Sequence, residues 1–283
     1  MKFSEMFSNF SSKKHTINGR NLEYSQDLNF NHLYMMEGLT PEQREYVVNF
    51  QNRFEMLYDM ADSTTTTPLV IENGQIPNGT LVHRCYLSVD RLRSISQSGI
   101  MASEWFGIEE SEREAPFCTF LTEKMDFEHP MHAKIHDASF IPNPGEICLY
   151  FDSSNELMQD LLSVDYFEYS AKKLRGEDLS EYPPVIREFY DNVIDAKSCK
   201  FGKNMHMNPS FRNAWRAIPG GIPAKLVNGI GIHSSKATPE LLDELGQLFP
   251  YATIYNEKFE VLRPALIQQK DTKMDIDGPE KSE

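Results

Sequence analysis

The stretch GTLVHRCYLSVDRLRSISQSGI, residues 79–100, decides how the chain is read. Its first half, Thr80–Tyr86, is a short apolar run entered from a glycine, which predicts a strand. Ser88 then offers a side-chain oxygen as a helix N-cap, and Leu92, Ile95 and Ile100 give the following segment an apolar face, so a helix is expected over 88–98. Gly99 is the expected C′ residue, in the left-handed region that glycine enters without steric cost. His83 and Arg84 are neighbours on the strand, and its two-residue period sends them to opposite faces. Read from the residues alone, His83 is a partly buried histidine with a satisfied hydrogen bond, and Arg84 belongs to a solvated face.

Working outward from this unit, Thr40-Pro41-Glu42 is a helix start, and Val47, Phe50, Phe54, Leu57 and Met60 recur at helical intervals, predicting a helix over 41–61. The DSTTTTP segment ends it, and two Asn-Gly turn signals follow before Thr80. Towards the C-terminus the expected order is an acidic loop over 103–115, a strand PFCTFLT, a histidine-bearing segment over 127–137 and a strand EICLYFD over 146–152. A helix SNELMQDLLS capped by Ser153 or Ser154 comes next, then a helix PVIREFYDNVI begun by Pro183-Pro184. The glycine-rich WRAIPGGIPAKLVNGIGIHSS is expected to turn a sheet corner and feed one buried late strand, before a helix TPELLDELGQLF and a last strand YATIYN. This pattern predicts an α+β fold with mixed strand order, flanking helices and a helical N-terminal extension. The expected organisation is an extension over 1–75, an α+β domain over 76–266, and a disordered acidic tail over 267–283.

The chain has 283 residues, with 28 Lys and Arg against 42 Asp and Glu, for a formal net charge of −14. Such a surface repels a phosphate backbone, which disfavours nucleic acid and leaves a protein target as the expected partner. The four cysteines, at 85, 118, 148 and 199, have no CxxC or zinc-finger spacing and read as reduced thiols. No apolar run is long enough to span a bilayer, and the N-terminus lacks an apolar signal-peptide centre, so a soluble cytoplasmic protein is expected. A secreted effector without a cleavable signal has the same appearance. Composition gives no oligomeric state.

Three constellations are candidates for chemistry on residue type and spacing. His129, His132 and His136 fall at i, i+3 and i+7 on a short helix begun by Pro130; without the HExxH base, a pH-sensitive polar surface is expected and no metal. Cys118, on an apolar strand, is expected to pack in the core rather than act as a nucleophile. The loop SEWFGIEESEREAPFC sets Glu104, Glu109, Glu110, Glu112 and Glu114 around Arg113, with Trp105 and Phe106 needing burial or a ligand to stack on.

The strand bearing His83, followed by a helix ending in Ser98-Gly99-Ile100, resembles the first motif of the ADP-ribosyltransferase superfamily. It is similar to the branch with a histidine there, which includes the poly-ADP-ribose polymerases, the tRNA 2′-phosphotransferases and the DNA-targeting ADP-ribosyltransferase toxins. The resemblance covers residues 78–255 and implies a split mixed sheet, with NAD as substrate and ADP-ribose transferred to a macromolecule, as in a toxin or effector. It implies that His83 anchors the NAD ribose, with Arg84, Tyr86 and Trp105 in the cofactor site. It also implies a catalytic arginine, for which Arg113 stands in the right region, and a catalytic acid. The late strand that carries this acid in the family has none here, so Glu104 in the acidic loop is the first candidate, and Glu168 and Glu260 are others. Cys85 stands where family members carry a small hydroxyl residue. The absent acid also allows a catalytically silent fold of this architecture, or an unrelated α+β module for protein–protein interaction.

Overall fold

The computed structural model describes residues 15–17, 20–22, 60–61, 64–101, 118–161, 164–189, 215–219 and 221–267. Of the expected N-terminal helix only its end, Met60–Ala61, lies among them and is helical. Two short strands, β1 (His15–Ile17) and β2 (Arg20–Leu22), pair antiparallel in a region where the sequence has no sustained periodicity. The tail from residue 268 onward lies outside the described residues.

The fold is α+β, with helices flanking a mixed sheet. The 79–100 unit forms β3 (Thr80–Tyr86) and α1 (Val89–Ser98). Ser88 caps α1 by accepting from the Arg91 amide at 3.4 Å, and the Gly99 amide closes it on the Ile95 carbonyl at 2.7 Å. Gly99 has the positive φ expected, +78°, but its ψ of −176° is extended. The chain therefore leaves the helix straight into β4 (Ile100–Met101) instead of curling into a left-handed turn.

The strands that follow are β5 (Cys118–Glu123), β6 (Glu146–Asp152), β7 (Val164–Asp165), β8 (Trp215–Pro219), β9 (Gly221–Ile222), β10 (Gly229–Ile232), β11 (Thr253–Tyr255) and β12 (Val261–Arg263). The main sheet is a continuous ladder of eight strands in the order β12-β11-β10-β6-β3-β5-β8-β7, and β4 and β9 form a separate two-stranded sheet. The main ladder is antiparallel except at β10–β11. That parallel pair is joined through α6 (Pro239–Leu248), the crossover that parallel neighbours require. Thr238 caps α6 at the Leu241 amide, with Pro239 in its first turn.

Strand β6 lies at the centre because both its faces are apolar. Ile147, Leu149 and Phe151 project into the larger core with Leu92 of α1, Leu245 of α6 and Ile230 of β10. Cys148 and Tyr150 project into a smaller core with Val82, Phe140 and Tyr255. All five β6 side chains are fully buried. The glycines of β10 belong to this arrangement: its isoleucines enter the larger core, while a Cβ on Gly231 would lie 2.5 Å from the Tyr150 hydroxyl. That hydroxyl donates to the Phe140 carbonyl.

Two sequence expectations are corrected here. GIPAKLVNGIGI is not one late strand: the chain forms β9, a 3-10 turn over Ala224–Leu226, and only then β10. Pro223, lacking an N–H, ends β9, and the segment turns a corner from the β8 side of the sheet to the far side of β6. The helix α3 (Glu156–Asp160) is capped by Asn155 at the Leu157 amide, not by Ser153 or Ser154. The amide and hydroxyl of Ser154 are both bound to Asp152 Oδ1, which holds Ser154 in a turn before the helix. The remaining helices are α2 (Pro130–Asp137), α4 (Tyr166–Arg175) and α5 (Pro184–Phe189); the expected continuation of α5 to residue 194 lies outside the described residues. Among the described residues no helix is long and apolar enough to cross a membrane.

Candidate functional site

His83 sits in the middle of β3, opposite Leu149 of β6. Its Nδ1 lies 3.4 Å from the Phe120 carbonyl of β5. It shares a face with Leu81 and Cys85, the face that carries the larger core. Arg84 projects from the other face, where its guanidinium binds the Glu146 carboxylate and lies 3.4 Å from the Ala138 carbonyl. Desolvation pushes the Glu146 pKa up, but hydrogen bonds from Arg84 and Asn143 outweigh it and hold the carboxyl below its usual range. Tyr86, at the strand end, also follows the Arg84 face and is 64% exposed. His83, Arg84 and Tyr86 thus do not form one ribose pocket: alternation separates the histidine from the other two, and Arg84 is held as a structural ion pair.

The register across β3, β5 and β8 brings a different set to the histidine's side. Leu81 of β3 is opposite Glu123 of β5, and Leu121 of β5 is opposite Arg216 of β8. Leu81, His83, Leu121, Glu123 and Arg216 therefore share one face. Glu123 is one diagonal step from His83, a spacing of about 7–8 Å between backbones that long side chains bridge. Arg216 Nε donates to Glu123 Oε2 at 2.5 Å, with both side chains partly buried. The result is an imidazole and a carboxylate on adjacent strands, with a guanidinium fixing the carboxylate from the far side.

Glu123 escapes a reading of the sequence because it is the last residue of its strand, where a charged side chain looks like the start of a loop. The available signal is the alternation Thr119, Leu121, Glu123, which carries the carboxylate onto the apolar face. Of the acids considered from sequence, Glu104 lies outside the described residues, as do Arg113 and Trp105. Glu168 is on α4 in an ion pair with Lys172, and Glu260 accepts from Asn256 Nδ2 at 2.6 Å; neither is brought to β3.

The histidine segment departs from a polar surface. His129 caps α2 at the Met131 amide, 3.3 Å away, and its ring lies 4.7 Å from that of His132. His136, however, is buried between Phe127 and Phe140 and accepts from the Met125 amide at 3.3 Å. The face that carries the spacing turns inward at its C-terminal end. Among the described residues no three His, Cys, Asp or Glu side chains converge as metal ligands.

Cys85 and Cys148 are free thiols. Burial is the main cause that pushes Cys85 up to about 11 and Cys148 up to about 12, so neither supplies a thiolate near neutral pH. Cys118 opens β5, but its side chain lies outside the described residues. No family model, curated protein or solved structure matches the chain.

Proposed function

We propose that the chain is an ADP-ribosyltransferase-like enzyme that takes NAD on the His83 face of the sheet, with Glu123 as its catalytic acid. The observation that carries this reading is the placement of Glu123, held by Arg216, on the same face as His83 and one diagonal step away. It supplies the carboxylate that the resemblance requires and that the late strand β10 lacks. His83 binds the ribose through a ring nitrogen, which needs only a neutral imidazole. The bond between ribose C1′ and the nicotinamide nitrogen breaks, the electron pair leaves with nicotinamide, and the positive charge left on the sugar is met by Glu123. A nucleophilic group of the target then bonds to C1′ and gives up its proton. Arg216 is a positioning residue, because it acts through Glu123. The pyrophosphate is assigned to Arg113. A macromolecular target of protein type follows from the charge of −14, which opposes a nucleic-acid acceptor.

The test is consumption of NAD by the full-length chain, followed as nicotinamide release, with His83→Ala and Glu123→Gln beside it. Turnover that falls by about 100-fold or more in Glu123→Gln supports the assignment, since removing one charge-stabilising group in an active site costs about 10²–10³ in rate. A Glu123→Gln variant that turns over NAD like the parent overturns it.

A further inference from the structure

We infer that His136 is a positioning residue for the Glu123 site, an inference that rests on the function proposed above: its ring clips the main chain just beyond Glu123 to the C-terminal end of α2. Strand β5 ends on Glu123. Lys124 still belongs to the ladder with β3, because its amide donates to the Thr80 carbonyl at 2.7 Å and its carbonyl accepts from the Gly79 amide at 2.9 Å. Alternation then turns the Met125 amide to the opposite side, towards β8. There, among the described residues, the ladder with β8 runs only as far as Thr122, opposite Trp215. The acceptor that Met125 finds is His136 Nε2, 3.3 Å away. An imidazole thus stands where a strand partner would continue the ladder.

The surroundings of this bond make it a joint. The His136 ring is 2% exposed and lies edge-on between Phe127, 4.6 Å away, and Phe140, 5.3 Å away. Lys124 Nζ meets Asp137 Oδ1 at 2.7 Å. Lys124, Met125 and Phe127 are therefore all tied to His136 or Asp137, directly after the residue whose carboxylate Arg216 holds. The joint also titrates. A proton on Nε2 sets two donors face to face and strands a charge among aromatic rings. Desolvation, and then the Lys124 charge at the β5 end, oppose that proton; Asp137 on α2 and the Glu123 carbonyl favour it, and the balance holds the ring below its usual 6.5. Of the other titratable groups on the elements packed here, His132 is one turn earlier on α2, Asp126 accepts from Asn78, and Arg84 of β3 is paired with Glu146 of β6. Acid therefore opens the clip and frees the end of β5.

The test follows the Met125 amide and the Glu123 carboxyl carbon by NMR in the full-length chain, for the parent, His136→Phe and His136→Gln. Phenylalanine keeps a ring between Phe127 and Phe140 but offers no acceptor, whereas glutamine keeps a carbonyl acceptor that does not titrate. At pH 7.5, His136→Phe is expected to lower the hydrogen-exchange protection of Met125 about tenfold and to shift the Glu123 carboxyl signal, while His136→Gln keeps both near the parent. Between pH 7.5 and 5 the parent is expected to lose the same protection and His136→Gln to retain it, a comparison that stands whether or not His136→Phe folds. A parental Glu123 signal in a folded His136→Phe, or equal loss of Met125 protection on acidification in the parent and His136→Gln, overturns the inference. Nicotinamide release adds a separate reading: kcat about tenfold lower in His136→Phe and restored in His136→Gln supports positioning, and parental release by a folded His136→Phe overturns it. A parent that releases no nicotinamide overturns the proposed function, and the two NMR signals still decide the clip.

Discussion

At the scale of single residues, alternation along β3 governs what His83 can do. Arg84 and Tyr86 stand on the far face, so the charged groups nearest the histidine on its own face come from β5 and β8. Arg216→Lys separates positioning from catalysis. Lysine keeps the charge but not the planar donor that fixes Glu123. It is therefore expected to lower kcat for NAD about tenfold, with KM little changed and the fold intact. Loss of KM and kcat together, with a lowered melting temperature, would instead make Arg216 a structural residue.

His136 makes a different prediction, about stability. Desolvation, reinforced by the Lys124 charge, holds its pKa below the usual 6.5. As pH falls, the unfolded chain takes up this proton before the folded one does. The contribution of neutral His136 is therefore full above about pH 6.5 and declines below it, towards the lowered folded pKa. Denaturant midpoints between pH 7.5 and 5 should fall for the parent chain and fall less steeply for His136→Gln. Equal slopes would show that other groups carry the acid sensitivity.

At the scale of elements, the joint between α1 and β4 is the most constrained point in the 79–100 unit. A Cβ on Gly99 would lie 2.2 Å from the Ile222 carbonyl oxygen, and φ is +78°. Gly145 has a similar φ of +91° with nothing within 4 Å. Gly99→Ala is expected to destabilise by about 2–4 kcal/mol, from backbone strain plus a clash with main chain, and Gly145→Ala by about 1 kcal/mol from strain alone. Equal losses in thermal or denaturant unfolding would mean that the contact with β9 relaxes freely.

The same joint shows what a reading of residues reaches. The strands β3 and β6 and the helices α1 and α6 are legible because apolar pattern, caps and punctuation agree at each of them. The α3 cap is missed because the sequence does not reveal that Asp152 takes Ser154 first. The split of the GIPAKLVNGIGI segment is missed because pairing of β9 with β4 is a long-range contact. Glu123 is missed for a related reason: strand register, not local composition, puts it beside His83. The strand that carries His83 is legible, and the register that brings Glu123 onto its face is not.

For the whole molecule, the eight-strand sheet places the His83–Glu123–Arg216 face on β3, β5 and β8. We propose that Glu123 serves the chemistry of NAD on the His83 face. The most direct measurement is nicotinamide release by the full-length chain under saturating NAD, for the parent, His83→Ala and Glu123→Gln. The account predicts release by the parent, a fall of about 100-fold or more in Glu123→Gln with the NAD-induced rise in melting temperature retained, and loss of that rise in His83→Ala. Absence of both release and any thermal response to NAD in the parent would contradict it.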